Sequence, residues 1–239
     1  MEEVSEMFGL ILISVFGYAL VMGVVILKAY MDFSDSKYQK ASNHTFWETF
    51  TNKGINGEYK VYRKLEKLKL SKLLLTNIYI PKKDGTTTEI DLLMITKFGF
   101  FVVESKNYSG WIFGNEKQRY WTQTFPNKKK YKFFNPIWQN KGHISALKEA
   151  LDITDDSLLQ SLIVFSDECK LKKISVNTAN VHVFNRSQLG QVIKRELQNT
   201  KPVFTSEDIK AYFVLLKPYI KVGTQTKELH IQKIKEKLS

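Results

Sequence analysis

Apolar positions along this chain fall into runs of three lengths, and each length predicts a different element. The first run is continuous: from Phe8 to Leu27, twenty residues carry no charge. Beyond it, short runs rich in apolar, β-branched and aromatic residues recur between polar breaks and predict strands. They are Leu73–Ile80, Leu92–Thr96, Phe100–Val103, Trp111–Gly114, Tyr120–Thr124, Leu162–Phe165 and Val181–Phe184. Pro81 ends the first of these, Lys82-Lys83-Asp84-Gly85 is a turn, and Lys97-Phe98-Gly99 joins two runs into a β-hairpin. The third pattern is helical. Val61, Leu65 and Leu68 recur every three to four residues, which predicts an amphipathic helix led in by Gly54 to Gly57. Glu58 is then expected in its first turn, where the helix dipole favours an acid. Further helices are predicted from Ile137 to Leu151 behind Pro136, from Gln188 to Leu197, and from Ser206 to Leu216 with Thr205 or Ser206 as N-cap. Leu229–Leu238 reads as a charged amphipathic tail. Strands interleaved with helices predict an α/β fold with a mixed β-sheet flanked by helices.

The uncharged run changes the picture of where the domain sits. At about 1.5 Å per residue, twenty helical residues cover the ~30 Å hydrocarbon core of a bilayer. A cleaved signal peptide would want a basic start, a shorter apolar core and a small-residue cleavage site. Here Glu2, Glu3 and Glu6 precede the run, and Lys28-Ala29-Tyr30-Met31 follows it. An N-terminal transmembrane helix in residues 1–30 is therefore expected. Lys28, Lys37 and Lys40 lie after the span and no Lys or Arg lies before it, so a single-pass cell-membrane protein with a cytoplasmic domain is expected. Residues 31–53 read as a polar connector whose Phe46, Trp47 and Phe50 dock on the domain, the default, or sit near lipid headgroups. A globular domain over 54–190 and a helical extension over 191–239 complete the expected organisation.

Charge is unevenly placed. The chain has 36 Lys and Arg against 24 Asp and Glu, and only three of those bases lie in the first fifty residues. A basic domain attracts polyanions, nucleic acid foremost, while anionic lipid headgroups near a membrane anchor would be served by the same charge. Tyr131, Phe133 and Phe134 beside lysines 128–132 could stack bases. Cys169 is the single cysteine, so an intramolecular disulfide is excluded. With only four scattered histidines, no zinc-ligand spacing exists.

Candidate chemistry concentrates in the hairpin. Thr88-Glu89-Ile90-Asp91 opens one strand and Glu104-Ser105-Lys106 closes the next. Residues two apart in a strand face one side, so Glu104 and Lys106 point together. The hairpin brings Asp91 to the same end. Carboxylates suit a hard divalent cation, and a lysine beside them can orient water or stabilise charge on a phosphate. The same residues also suit a solvated ion pair on an exposed strand.

The order acid, short strand, acid-x-Lys resembles the PD-(D/E)xK nuclease superfamily, and the surrounding residues resemble its nuclease-related domain (NERD) branch. The matching residues are Gly54-Ile55-Asn56-Gly57-Glu58, Asn77-Ile78-Tyr79-Ile80-Pro81, Thr88–Asp91, Gly99–Gly110, Trp121, and Asn135-Pro136-Ile137-Trp138-Gln139-Asn140 with His143. Ser105 departs from the apolar residue usual there. The resemblance implies a restriction-endonuclease-like core and Mg²⁺- or Mn²⁺-dependent phosphodiester hydrolysis of nucleic acid. It implies metal held by Asp91 and Glu104, assistance from Glu58, Lys106 acting on water or charge, and Gln139 supporting the site. A non-catalytic nucleic-acid- or partner-binding module at the cytoplasmic membrane face is the alternative. His143, four residues after Gln139 on the same helix face, is expected to pack or bond locally rather than act as a base.

Overall fold

The computed structural model describes residues 2–220, 222–223, 226, 228–230 and 232–233. Four helices come first: α1 (Glu2–Ser34), α2 (Tyr38–Ser42), α3 (Phe46–Thr51) and α4 (Lys53–Glu66). Six strands follow: β1 (Lys72–Pro81), β2 (Thr87–Thr96), β3 (Gly99–Lys106), β4 (Gly110–Asn115), β5 (Tyr120–Thr124) and β6 (Lys130–Phe134). Helix α5 (Pro136–Ala150) leads into β7 (Leu159–Phe165), β8 (Cys169–Ser175) and β9 (Val181–Asn185), then α6 (Leu189–Asn199) and α7 (Ser206–Leu216). Of the tail helix expected over Leu229–Leu238, residues 229, 230, 232 and 233 are described and are helical; the remainder lies outside the described residues.

The fold is mixed α/β, and its strands divide between two mixed sheets. The larger has the order β1-β2-β3-β7-β9, antiparallel through β3 and parallel beyond it. The smaller has the order β6-β5-β4-β8, with β8 parallel to β4. Strands β6 (KYKFF) and β8 (CKLKKIS) go unpredicted by the apolar pattern because lysines fill their exposed positions.

Helices cover both faces of the larger sheet, and strand alternation decides what each face meets. Leu92, Met94, Phe101 and Val103 pack against Val61 and Leu65 of α4 and Val192 and Ile193 of α6. Leu93, Ile95, Phe100 and Val102 pack against Ala146 and Leu147 of α5 and Leu216 of α7. A strand buried on both faces reads as an unbroken apolar run, which is why β3 is so legible in sequence. The smaller sheet turns Ile112, Trp121 and Phe133 onto Phe165 and Ile163. Gly114 has no side chain because the Trp121 ring lies against its backbone, where any Cβ would collide with it.

Helix α1 is long and apolar enough to cross a membrane, and its apolar side chains are open to the surroundings, Ile13 by 71% and Phe16 by 73%. Its last turn behaves differently. Phe33 is 2% exposed and meets Phe46 and Tyr59 with ring centres 5.8 and 5.6 Å apart. Asp32 accepts from Arg63 at 2.6 Å and from the Tyr59 hydroxyl at 2.8 Å. Tyr38 is fully buried and Phe46 nearly so, so residues 33–46 contribute to the domain core. Phe33→Ala is expected to cost about 3–5 kcal/mol, as core Phe truncations do. Urea unfolding of the full chain in detergent would measure it, and a loss under about 1 kcal/mol would mean that α1 does not dock.

One expectation about α4 needs correction. The Asn52 side chain accepts from the Gly54 and Ile55 N–H groups, so the helix begins at Lys53. Glu58 therefore lies in the second turn, beyond the reach of the dipole argument. Gly57 lets this turn approach the loop after β3: a Cβ there would stand 2.6 Å from Asn107 Cβ.

Candidate active site

Strands β2 and β3 pair from Thr96↔Gly99 to Leu92↔Val103. The next step of that register sets Asp91 beside Glu104, and Asp91 Oδ2 accepts the Ser105 N–H at 2.8 Å. On the other side of β2 the ladder is interrupted. Asn77 has φ 52°, and it makes no pair with Asp91, although Thr76↔Leu92 and Ile78↔Ile90 flank it. Across the break the strand exchanges faces: Leu92 packs on the α4 side and Ile90 on the α5 side. Thr88 consequently meets α5. Glu89 instead accepts from the Tyr79 hydroxyl at 2.6 Å and from Asn77 Nδ2 at 3.3 Å.

Glu104 and Lys106 share a side, as strand alternation requires. Lys106 Nζ lies 2.6 Å from Glu104 Oε1 and donates to Gln139 Oε1 at 3.0 Å. Helix α5 brings Gln139 here through an Asn135 cap and Pro136 at its start. One turn further on, His143 is buried with Nε2 3.0 Å from Glu104 Oε2 and Nδ1 2.6 Å from Thr88 Oγ1. A carboxylate only accepts, so Nε2 carries the proton shared with Glu104, while Nδ1 meets the Thr88 hydroxyl. His143 thus bonds locally and braces Glu104.

Electrostatics divide the three acids. Burial pushes Glu104 upward, but Lys106 and then His143 outweigh it and hold the carboxyl below its usual range. Asp91, half-buried, is raised well above the usual range by desolvation and then by Glu104 and Glu58. Glu58 is raised to about 8 by desolvation, then by Glu89 and Glu104. Burial pulls the Lys106 ammonium downward, but Glu104 and then Asp91 outweigh it and hold it above the usual lysine range. The cluster carries more buried negative charge than one lysine offsets.

Sequence reasoning singled out Glu58, Asp91, Glu104, Lys106 and Gln139, and the structure places all five at this end of the sheet. It gave no role to Thr88, Glu89 or Tyr38. Tyr38 is buried near Glu58, and burial followed by that charge raises its hydroxyl above the usual range. Nothing in the sequence separation of Tyr38 from β2 and β3 signals this.

Among the described residues, no three His, Cys, Asp or Glu side chains form a ready-made metal cage. Mg²⁺ does not ask for one. It usually binds through one or two carboxylates, keeping waters and substrate phosphates as its other ligands. Asp91 and Glu104 are hard oxygen donors of that kind. The surplus negative charge that raises Asp91 is what a divalent cation would relieve. The donor set therefore fits such an ion.

A mixed α/β domain with a carboxylate–lysine cluster at one end of the inner strands of its main sheet is thus the class of protein in hand. Residues 53–166 match the nuclease-related domain family. It is 38% identical over 143 residues to an uncharacterised protein of Bacillus anthracis, covering 59% of this chain and 66% of that relative. The chain thus spans about two thirds of that relative's length. No solved structure matches it.

Proposed function

We propose that this protein is a membrane-anchored nuclease-like enzyme that hydrolyses phosphodiester bonds of nucleic acid with Mg²⁺ or Mn²⁺. The observation that carries the reading is the convergence of Asp91, Glu104 and Lys106, with Gln139 on Lys106 and Glu58 nearby. Asp91 and Glu104 would hold the ion, which when bound supplies positive charge against the phosphate and the developing negative charge. Lys106, kept charged and oriented by Gln139, binds a phosphate oxygen or positions the attacking water. His143 fixes the Glu104 carboxylate. Glu58 keeps a proton near neutral pH and can take or release it beside the reacting group.

The anchor reading rests on α1. The last turn of the helix is built into the core through Phe33 and Asp32, so removing the whole helix as a signal sequence would strip core contacts. The lysines after the span favour a cytoplasmic domain. A non-catalytic binding module is favoured by one feature: both Glu104 oxygens already have partners, Lys106 and His143.

The deciding experiment is cleavage of single-stranded and duplex DNA and RNA by the full chain in detergent, with Mg²⁺, Mn²⁺ or EDTA, beside Asp91→Ala. Metal-dependent cleavage absent from the variant supports the enzyme. Binding without cleavage under every condition assigns the module instead. Cell fractionation tests the anchor: recovery of the full chain in the soluble fraction would end that part of the reading.

A further inference from the structure

The smaller sheet has an open face that the carboxylate site does not use. Cross-strand partners point to the same side of a sheet. Trp111 pairs with Lys170 and Thr124, Phe113 pairs with Lys173 and Thr122, Lys132 lies across from Thr122, and Phe134 lies across from Tyr120. These residues share one face, while the other face sends Ile112, Trp121, Phe133 and Leu171 into the core. The register slips between Ile112 and Phe113, and the extra residue, Lys172, sets Nζ 5.8 Å from the centre of the Trp111 ring. Trp111, Tyr120 and Phe134 are 38%, 47% and 39% exposed. The four strands carry five lysines and no Asp or Glu. Between Phe113, Tyr120, Thr122 and Lys173 lies an open hollow of about 360 Å³.

We propose that this face binds single-stranded nucleic acid. Trp111, Phe113 and Tyr120 stack on unpaired bases, and Lys130, Lys132, Lys170, Lys172 and Lys173 neutralise the phosphates. Aromatic rings alternating with cations on a flat sheet suit bases that are out of a duplex, because paired bases hide their faces in the stack. A lipid interface would also take lysines and exposed Trp and Tyr rings at headgroup level, and the vesicle arm of the test below separates the two. Of the aromatics near the 128–132 lysines, Phe133 is excluded from stacking on bases. It faces inward, with its ring centre 4.8 Å from that of Tyr108. Only Asn107, Tyr108 and Ser109 separate β3 from β4, and Gln123 Nε2 donates to the Ser109 carbonyl at 2.8 Å. The face is therefore held firmly beside the end of β3 that carries Glu104 and Lys106. Delivery of the strand to those residues rests on the nuclease reading; binding to the face does not.

The test uses the full chain in detergent micelles with EDTA, and a fluorescein-labelled oligothymidylate read by anisotropy. Trp111→Ala should weaken binding about 5- to 150-fold, the effect of losing one base stack. Trp111→Phe should retain most of the affinity. Lys170→Glu with Lys173→Glu should flatten the slope of log affinity against log salt by about 1.4, for two lost phosphate contacts on a single strand. Wild-type affinity in both face variants, with unchanged melting curves, overturns the inference. So does a blunt DNA duplex bound as tightly as the single strand. Loss of binding to phosphatidylserine vesicles in those variants, with oligothymidylate binding intact, reassigns the face to lipid. If the face variants lose binding but wild type cleaves nothing in any metal, the nuclease reading fails and this one stands.

Discussion

Glu104→Ala is expected to abolish metal-dependent cleavage and divalent-cation binding while leaving a folded protein. Glu104 is the acid whose charge the structure protects most strongly, between Lys106 at 2.6 Å and His143 at 3.0 Å. Losing it removes one of the two carboxylates proposed to hold the cation, and the partner that Lys106 and His143 share. The rate should fall by about 10³-fold or more, the scale on which preorganised charge contributes to such reactions. Folding tolerates the change because Lys106 keeps Gln139 and Asp91, and because Asp91 and Glu58 lose a repelling neighbour. Lys106→Ala should behave differently. Cleavage should drop by at least ~10²-fold, yet cation binding should persist, since both carboxylates remain. Calorimetric Mn²⁺ titration, melting curves and single-turnover cleavage on both variants would separate these outcomes. A Glu104→Ala protein that cleaves at the wild-type rate would remove Glu104 from the chemistry altogether.

The contribution of Glu58 to the stability of metal-free protein is expected to fall as pH rises from about 4 to about 8, opposite to the usual carboxylate trend and to the rise that His182 and His230, held below the usual histidine range by burial, contribute. The sign follows from Glu58. Its folded value of about 8 lies above the ordinary glutamate value near 4.3, so the folded state binds that proton more tightly. The stabilisation is complete below about pH 4 and fades through about pH 8, after which it is gone. Each tenfold difference in proton affinity is worth about 1.4 kcal/mol, so the loss amounts to a few kcal/mol. Asp91 shifts in the same direction and adds to it. Glu58→Gln should flatten the profile and raise stability at pH 8–9, and Mg²⁺ should raise wild-type stability most where the acids are ionised. Urea midpoints between pH 4 and 9, with EDTA or Mg²⁺, provide the measurement. A Glu58→Gln profile that parallels wild type in EDTA would show that Glu58 ionises freely.

Much of the candidate site was legible from local rules. Period two in a strand puts Glu104 and Lys106 on one side, a short hairpin turn brings Asp91 opposite, and spacing by four puts Gln139 and His143 on one helix face. Those relations are covalent geometry expressed over a few residues, so the chain alone contains them. The uncharged Phe8–Leu27 run and the amphipathic α4 are equally local.

Other features depended on which distant segments came together. Strands β6 and β8 exist because the smaller sheet pairs them, despite lysine-rich sequences with weak strand character. Asn77 exchanges the faces of β2, so period two fails across Asp91 and Thr88 reaches His143 while Glu89 turns toward Tyr79. Phe33 and Tyr38, in a stretch that reads as polar connector, are buried because α4 supplies an aromatic surface for them. The charge state of the site is likewise tertiary. Desolvation and the sum of Glu58, Asp91 and Glu104 against Lys106 set it, and both terms arise only when α4, the β2–β3 hairpin and α5 pack around the same end of the sheet.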